Sequence, residues 1–153
     1  MSEHLKSLQL DLGSTKIRSK HAEHEHNIAI ADILHENSFT PHCMKGGPYD
    51  LKLSVKDGRL IFDIVSESGE TAKAVLAVTP LRGLIRDYFM ICESYYEALK
   101  AGGCGRIEAI DMGRRGMHNE GAEALKALLD ARITIDHATA RRLFTLVCVL
   151  HLK

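Results

Sequence analysis

Tyr49-Asp-Leu-Lys-Leu-Ser-Val55 and Arg59-Leu-Ile-Phe-Asp-Ile-Val65 stand on either side of Lys56-Asp57-Gly58. Tyr49, Leu51, Leu53 and Val55 alternate with polar residues, and Leu60, Phe62 and Ile64 recur at the same interval. A period of two is that of a half-buried strand. Asp-Gly accepts the positive φ of a tight hairpin turn, so the two segments read as an antiparallel pair. Beyond the pair, Ser66-Glu-Ser-Gly-Glu70 reads as another turn, and 72–78 as a third strand that continues a meander.

Working toward the N-terminus, residues 38–48 carry Pro41, Gly46, Gly47 and Pro48 and read as a loop. The Gly46-Gly47-Pro48 run follows no strand and opens no helix, so it is not a nucleotide-binding fingerprint. Ile28, Ile30, Ala31, Ile33 and Leu34 recur at helical spacing within 19–37. Residues 7–12 alternate as a strand that Gly13-Ser14 ends.

Toward the C-terminus, Thr79 reads as an N-cap and Pro80 as the first helical residue, where its missing N–H costs nothing. That helix runs to about residue 100 and ends at Gly102, Gly103 and Gly105. A second helical stretch covers about 106–131, with Gly113 and Gly116 as points of interruption. A short strand follows at 133–135, and Asp136 caps a last helix to about 151. The expectation is one α+β domain over 1–153. An antiparallel sheet of four to five strands packs against three to four helices.

The bulk composition excludes several classes. Lysine and arginine number 20, as do aspartate and glutamate, so no bulk attraction to nucleic acid or an anionic membrane follows. The longest apolar run, Leu143-Phe-Thr-Leu-Val-Cys-Val-Leu150, is too short to cross a bilayer. Cys43, Cys92, Cys104 and Cys148 lack metal-binding or redox spacing, which points to a reduced, cytoplasmic chain. Cys92 and Cys148 fall on apolar faces, whereas Cys43 and Cys104 fall in loops. His21, His24, Glu25 and His26 cluster at the start of the first helix, where solvated side chains are the simpler reading and a metal site the other. No metal and no cofactor is expected.

The chemistry-bearing residues gather in the last third. On the helix from 79, the apolar arc holds Leu81, Leu84, Ile85, Tyr88, Ile91, Cys92, Tyr95 and Leu99. Arg82, Arg86, Glu93, Glu97 and Lys100 lie opposite, with charges ordered against the helix dipole. If 106–128 is one continuous helix, Asp111, Arg114 and His118 fall at i, i+3 and i+7 on the face of Ile107, Ile110, Met117, Leu125 and Leu128. Ionisable groups turned inward need partners. Arg115, Asn119 and Glu120 flank them. A break at Gly113 or Gly116 would instead make the polar run a turn capped by Asp111 and Asn119. Arg141 and Arg142 sit in the first turns of the last helix, placed to meet Glu93, Asp111 or an anion.

Arg86-Asp-Tyr-Phe-Met-Ile-Cys-Glu-Ser-Tyr-Tyr-Glu-Ala98, Ile107-Glu-Ala-Ile-Asp-Met-Gly-Arg-Arg-Gly-Met-His-Asn-Glu-Gly121 and Thr139-Ala-Arg-Arg-Leu-Phe-Thr-Leu-Val-Cys-Val-Leu-His151 resemble an uncharacterised protein family of alphaproteobacteria. Glu36-Asn37, Gly46-Gly-Pro-Tyr49 and Phe62-Asp-Ile64 fit the same resemblance, which spans nearly the whole chain. It implies a bacterial cytoplasmic protein and transfers no catalytic residues.

Two functional readings stand side by side, and whether the chain is an enzyme stays open between them. The first is a non-enzymatic interaction or regulatory module, meeting a protein partner or a second copy as a homodimer. The second is a small enzyme or binder for a phosphate- or carboxylate-bearing ligand. There Arg114, Arg115, Asn119, Arg141 and Arg142 hold the anion, while His118, tuned by Asp111 or Glu120, serves as acid or base and Glu93 orients. No nucleic acid and no membrane partner is expected.

Overall fold

The hairpin read at Asp57-Gly58 is present in the computed structural model, which describes residues 3–12, 20–102 and 104–151. Strands β1 (Leu5–Leu10), β3 (Tyr49–Lys56), β4 (Arg59–Ser66) and β5 (Thr71–Ala77) form one sheet in the order β1-β3-β4-β5. Asp57 and Gly58 take φ of 53° and 73°, and Lys56 pairs with Arg59 across them. Positive φ at both central residues is the signature of the hairpin turn whose twist matches the strands.

The β3–β4–β5 meander is antiparallel throughout, as its turns require. At the other edge β1 pairs with β3 in parallel, because helix α1 (Lys20–His35) and a further strand intervene between them. The sheet is therefore mixed though mostly antiparallel. The expected strand stop at Gly13-Ser14 lies outside the described residues. Residues 38–48, read as a loop, contain β2 (Phe39–Pro41), which pairs with β6 (Ile133–Ile135) as a separate two-stranded ribbon. Three residues bounded by a proline give too short an alternation to register as a strand.

Helix α2 (Thr79–Ala101) is capped at Val78 rather than Thr79, and no side chain bonds its first N–H groups. It closes at Gly102, whose φ of 73° lets its N–H turn back to the carbonyls of Ala98 and Leu99. Helix α3 (Cys104–Leu129) then starts at once, so Gly105 and the backbone of Cys104 belong to a helix and not to a loop. It runs unbroken through Gly113 and Gly116. Gly113 lies against Ile91 of α2, where a Cβ would stand 2.7 Å from Ile91 Cδ1. Close helix packing, not a bend, explains that glycine.

Helix α4 (His137–His151) is the centre of the molecule. Its residues 143–150 are all buried, on every side of the helix, as befits a helix enclosed by others. It packs against α1, α3 and β3. Asp136 Oδ1 accepts from the Thr139 N–H at 2.8 Å, the cap expected there. The buried Thr139 hydroxyl in turn accepts from the Ser38 N–H at 3.0 Å. Asn37 joins α1 to the sheet edge by accepting from the Leu5 N–H at 2.7 Å and donating to Leu5 and Ile33 carbonyls. These side chains fix α1 alongside α4. The inner sheet face, with Leu51, Leu53, Leu60, Phe62 and Ile64, closes the core. The outer face carries exposed ion pairs such as Lys52–Asp11 and Lys73–Asp63.

Candidate functional site

Because α3 is continuous, Asp111, Arg114 and His118 share one side of it, each partly buried. They have two different sets of neighbours. Asp111 Oδ1 accepts from Arg114 at 2.8 Å and Oδ2 from Arg115 Nε at 3.0 Å. The Arg114 guanidinium lies 4.7 Å above the Tyr95 ring of α2, a cation–π contact. Its Nε is fully buried and has no acceptor among the described residues. Hydrogen bonding to Arg114 holds the Asp111 carboxyl below its ordinary range. Burial is the largest single influence on Arg114 and lowers it, but the bond to Asp111 and the electrostatics of Tyr88, Asp111 and Cys92 together outweigh it and raise the guanidinium. The ion pairs lie within α3, and Arg114 joins that helix to α2 through the Tyr95 ring.

His118 sits one turn further on, between α2 and α4. Its Nε2 lies 2.8 Å from the Arg141 carbonyl and 2.9 Å from Thr145 Oγ1. A carbonyl only accepts, so Nε2 carries the proton and donates to it. The Tyr88 ring stacks on the imidazole at 5.3 Å, and Phe144 lies at 6.0 Å. Burial, followed by the nearby charge of Arg141, pushes the His118 pKa down to about 4. The imidazole is therefore neutral at pH 7 and serves as a fixed donor.

A cleft of about 490 Å³ opens beside His118, between α1 and the first turns of α4. Arg141 and Arg142 line one wall together with His137, and Glu25, Ala29 and Asp32 of α1 line the other. Those three α1 residues stand at i, i+4 and i+7, hence on one helix face. Arg141 donates to Asn119 Oδ1 at 2.9 Å, and Arg142 to the Ala138 carbonyl at 3.3 Å. Each guanidinium has five N–H donors, so these contacts orient the arginines without exhausting them. Neither pairs with Glu93 or Asp111 in the described contacts.

A smaller cavity of about 130 Å³ adjoins the cleft, with Glu25 and Thr145 lining both. Tyr88, Phe89, Cys92, Cys148 and Val149 make its walls predominantly apolar. Tyr96 of α2 donates to Glu25 Oε1 at 2.9 Å, and His21 stacks on Tyr96 with ring centroids 3.8 Å apart. His21 is thus an aromatic neighbour of the cavity, and His26 Nδ1 lies 3.0 Å from Asn27 Oδ1. No group of three or more potential metal ligands is assembled among the described residues. Burial pushes the Cys92 thiol up to about 11 and raises Cys148 as well, away from thiolate reactivity.

Of the residues singled out from sequence, His118, Arg141 and Arg142 meet at the cleft, with Asn119 behind Arg141. Asp111, Arg114 and Arg115 form the separate ion-pair cluster. Glu93 is exposed and lines the rim of the small cavity. Glu120 is exposed and, two residues on from His118, points to the other side of α3. Sequence reasoning missed the α1 wall. In sequence Glu25 groups with the histidines, and its i, i+7 relation to Asp32 is the signal available.

The chain is similar to a UPF0262 protein of Brucella canis, with 59% identity over 131 residues that cover 84% of this chain and 82% of that one. A UPF0262 protein of Rhizobium etli is 56% identical over 130 residues, covering 84% and 83%. No solved structure matches it. The model of the uncharacterised protein family UPF0262 matches residues 2–153, and the chain belongs to that family.

Proposed function

We propose that this protein is a non-enzymatic regulatory module that binds a small anionic ligand, phosphate- or carboxylate-bearing, in the cleft between α1 and α4. The observation that carries this reading is the meeting of Arg141 and Arg142 at one wall of a 490 Å³ cleft whose lining includes the neutral imidazole of His118. Planar guanidinium donors suit carboxylate and phosphate oxygens. The chemistry of the neighbours supports binding over catalysis. A general base works best with a pKa near the operating pH, and that of His118 lies well below it.

The test is thermal denaturation and calorimetric titration with inorganic phosphate and with 3-phenylpropanoate, which joins a carboxylate to one ring. At about 100 times its dissociation constant a ligand adds about 2.7 kcal/mol to stability. Arg142→Ala should leave the melting temperature of the free protein within a degree or so and weaken binding about tenfold. If neither probe binds, or if the variant binds as well as the parent, the reading fails.

The same reading includes a reduced, cytoplasmic setting and a two-fold dimer. Free thiols at Cys43, Cys92 and Cys148 support the first. Met90 and Met112, 62% and 75% exposed, support the second. A monomeric mass in light scattering would remove the dimer without touching the cleft.

A further inference from the structure

The cleft is not uniformly cationic, and its two walls differ in sign. Arg141 and Arg142 come from α4, whereas Glu25 and Asp32 come from α1. A simple anion would answer one wall and be repelled by the other. Glu25 also stands at the boundary with the small apolar cavity, since it lines both spaces. Tyr96 occupies one Glu25 oxygen, and a carboxylate has about four lone-pair sites in all.

From the cavity outward the order is apolar walls, then the Glu25 carboxylate, then the two guanidinium groups. The cavity holds about 130 Å³, close to the ~150 Å³ that takes one benzene ring. Tyr88 and Phe89 give it aromatic faces, and Val149 an aliphatic one. An α-amino acid with a single ring presents its groups in this same order: ring, then ammonium, then carboxylate on the same carbon.

Resting on the anion-binding reading above, we propose that the ligand is a zwitterion, an α-amino acid with an aromatic or comparably large apolar side chain. Its carboxylate meets Arg141 and Arg142. Its ammonium meets Glu25, with Asp32 adding negative charge along the same face of α1. Its side chain fills the cavity beside Tyr88 and Phe89. Opposite charges on facing walls give selectivity, because a ligand lacking either charge leaves a wall group desolvated and unanswered.

Four probes test this on the full-length protein by calorimetry. They are L-phenylalanine, 3-phenylpropanoate without the ammonium, phenethylamine without the carboxylate, and glycine without the ring. L-phenylalanine should bind at least about tenfold more tightly than each of the other three, with 3-phenylpropanoate still bound measurably through its carboxylate. Glu25→Gln keeps an acceptor for Tyr96 and should weaken L-phenylalanine about tenfold while leaving 3-phenylpropanoate unchanged or improved. Equal binding of L-phenylalanine and 3-phenylpropanoate would overturn the zwitterion and leave the anion-binding reading intact. Tightest binding by phenethylamine, or no binding by 3-phenylpropanoate and phosphate alike, would overturn both. An unchanged L-phenylalanine affinity in the Glu25→Gln variant would overturn the assigned ammonium partner.

Discussion

The ring of Phe144 in α4 occupies the space where a Cβ on Gly121 of α3 would stand. The two helices approach there with backbone against ring, and that contact sets the depth at which His118, less than one turn away on α3, meets the Arg141 carbonyl. In an exposed helix, glycine to alanine is stabilising by roughly 1 kcal/mol. At residue 121 the added methyl must displace a fully buried aromatic side chain. Overpacking of this kind costs typically 1–3 kcal/mol. Gly121→Ala should therefore lower the denaturation midpoint. Gly116 has no atom near the position of a Cβ, so Gly116→Ala should raise the stability by roughly 0.5–1 kcal/mol. Opposite signs in one helix separate packing from propensity. Equal shifts from the two variants, measured by urea denaturation, would contradict the α3–α4 contact.

Arg114 supplies a second test. It bonds Asp111 at 2.8 Å and covers the Tyr95 ring at 4.7 Å. Lysine keeps the charge but loses the planar fork and the stacking face. Arg114→Lys should cost ~1–2 kcal/mol. Arg115 is 71% exposed, and Arg115→Lys should change stability by less than about 0.5 kcal/mol. The two adjacent substitutions, compared by thermal melts, distinguish a helix-joining arginine from a solvated one. If both were neutral, Arg114 would not be anchoring α3 to α2.

Strong local signals carried most of the fold into the sequence reading. The Asp57-Gly58 turn, the Asp136 cap and the glycine stop at 102 each act through one residue's backbone chemistry, and each is visible one-dimensionally. The parallel pairing of β1 with β3 left no such mark, because it depends on where α1 returns the chain rather than on a turn residue. β2 was hidden for the related reason that its partner β6 lies far away in sequence. At the site, the α3 face was legible because helical spacing alone brings Asp111, Arg114 and His118 to one side. Which of them would pair together was not. Tyr95 took Arg114 away from the cleft, and burial between α2 and α4 took His118 out of the proton-transfer range. The acidic wall of α1 was illegible because its relation to α4 is purely tertiary.

The state of His118 makes a prediction about pH. Burial and the Arg141 charge move its pKa from 6.5 to about 4. Between those values the unfolded chain binds a proton that the folded chain refuses, so stability rises with pH across that window. The contribution is complete above the unfolded value of 6.5 and is lost as pH falls toward about 4. Its size is on the order of 3 kcal/mol. Asp111 acts with the same sign but lower, because its depressed carboxyl loses its stabilising charge only below the ordinary 3.8. The two windows can therefore be read apart. His118→Gln keeps an N–H for the Arg141 carbonyl and removes the titration. Urea denaturation at about pH 7.5 and at about pH 5 should show a smaller loss of stability in the variant than in the parent. An imidazole NMR titration for His118 centred near 6.5 would mean that the ring is solvated and accepts a proton freely. The neutral imidazole lining the cleft would then be lost, and with it the argument that this site binds rather than catalyses.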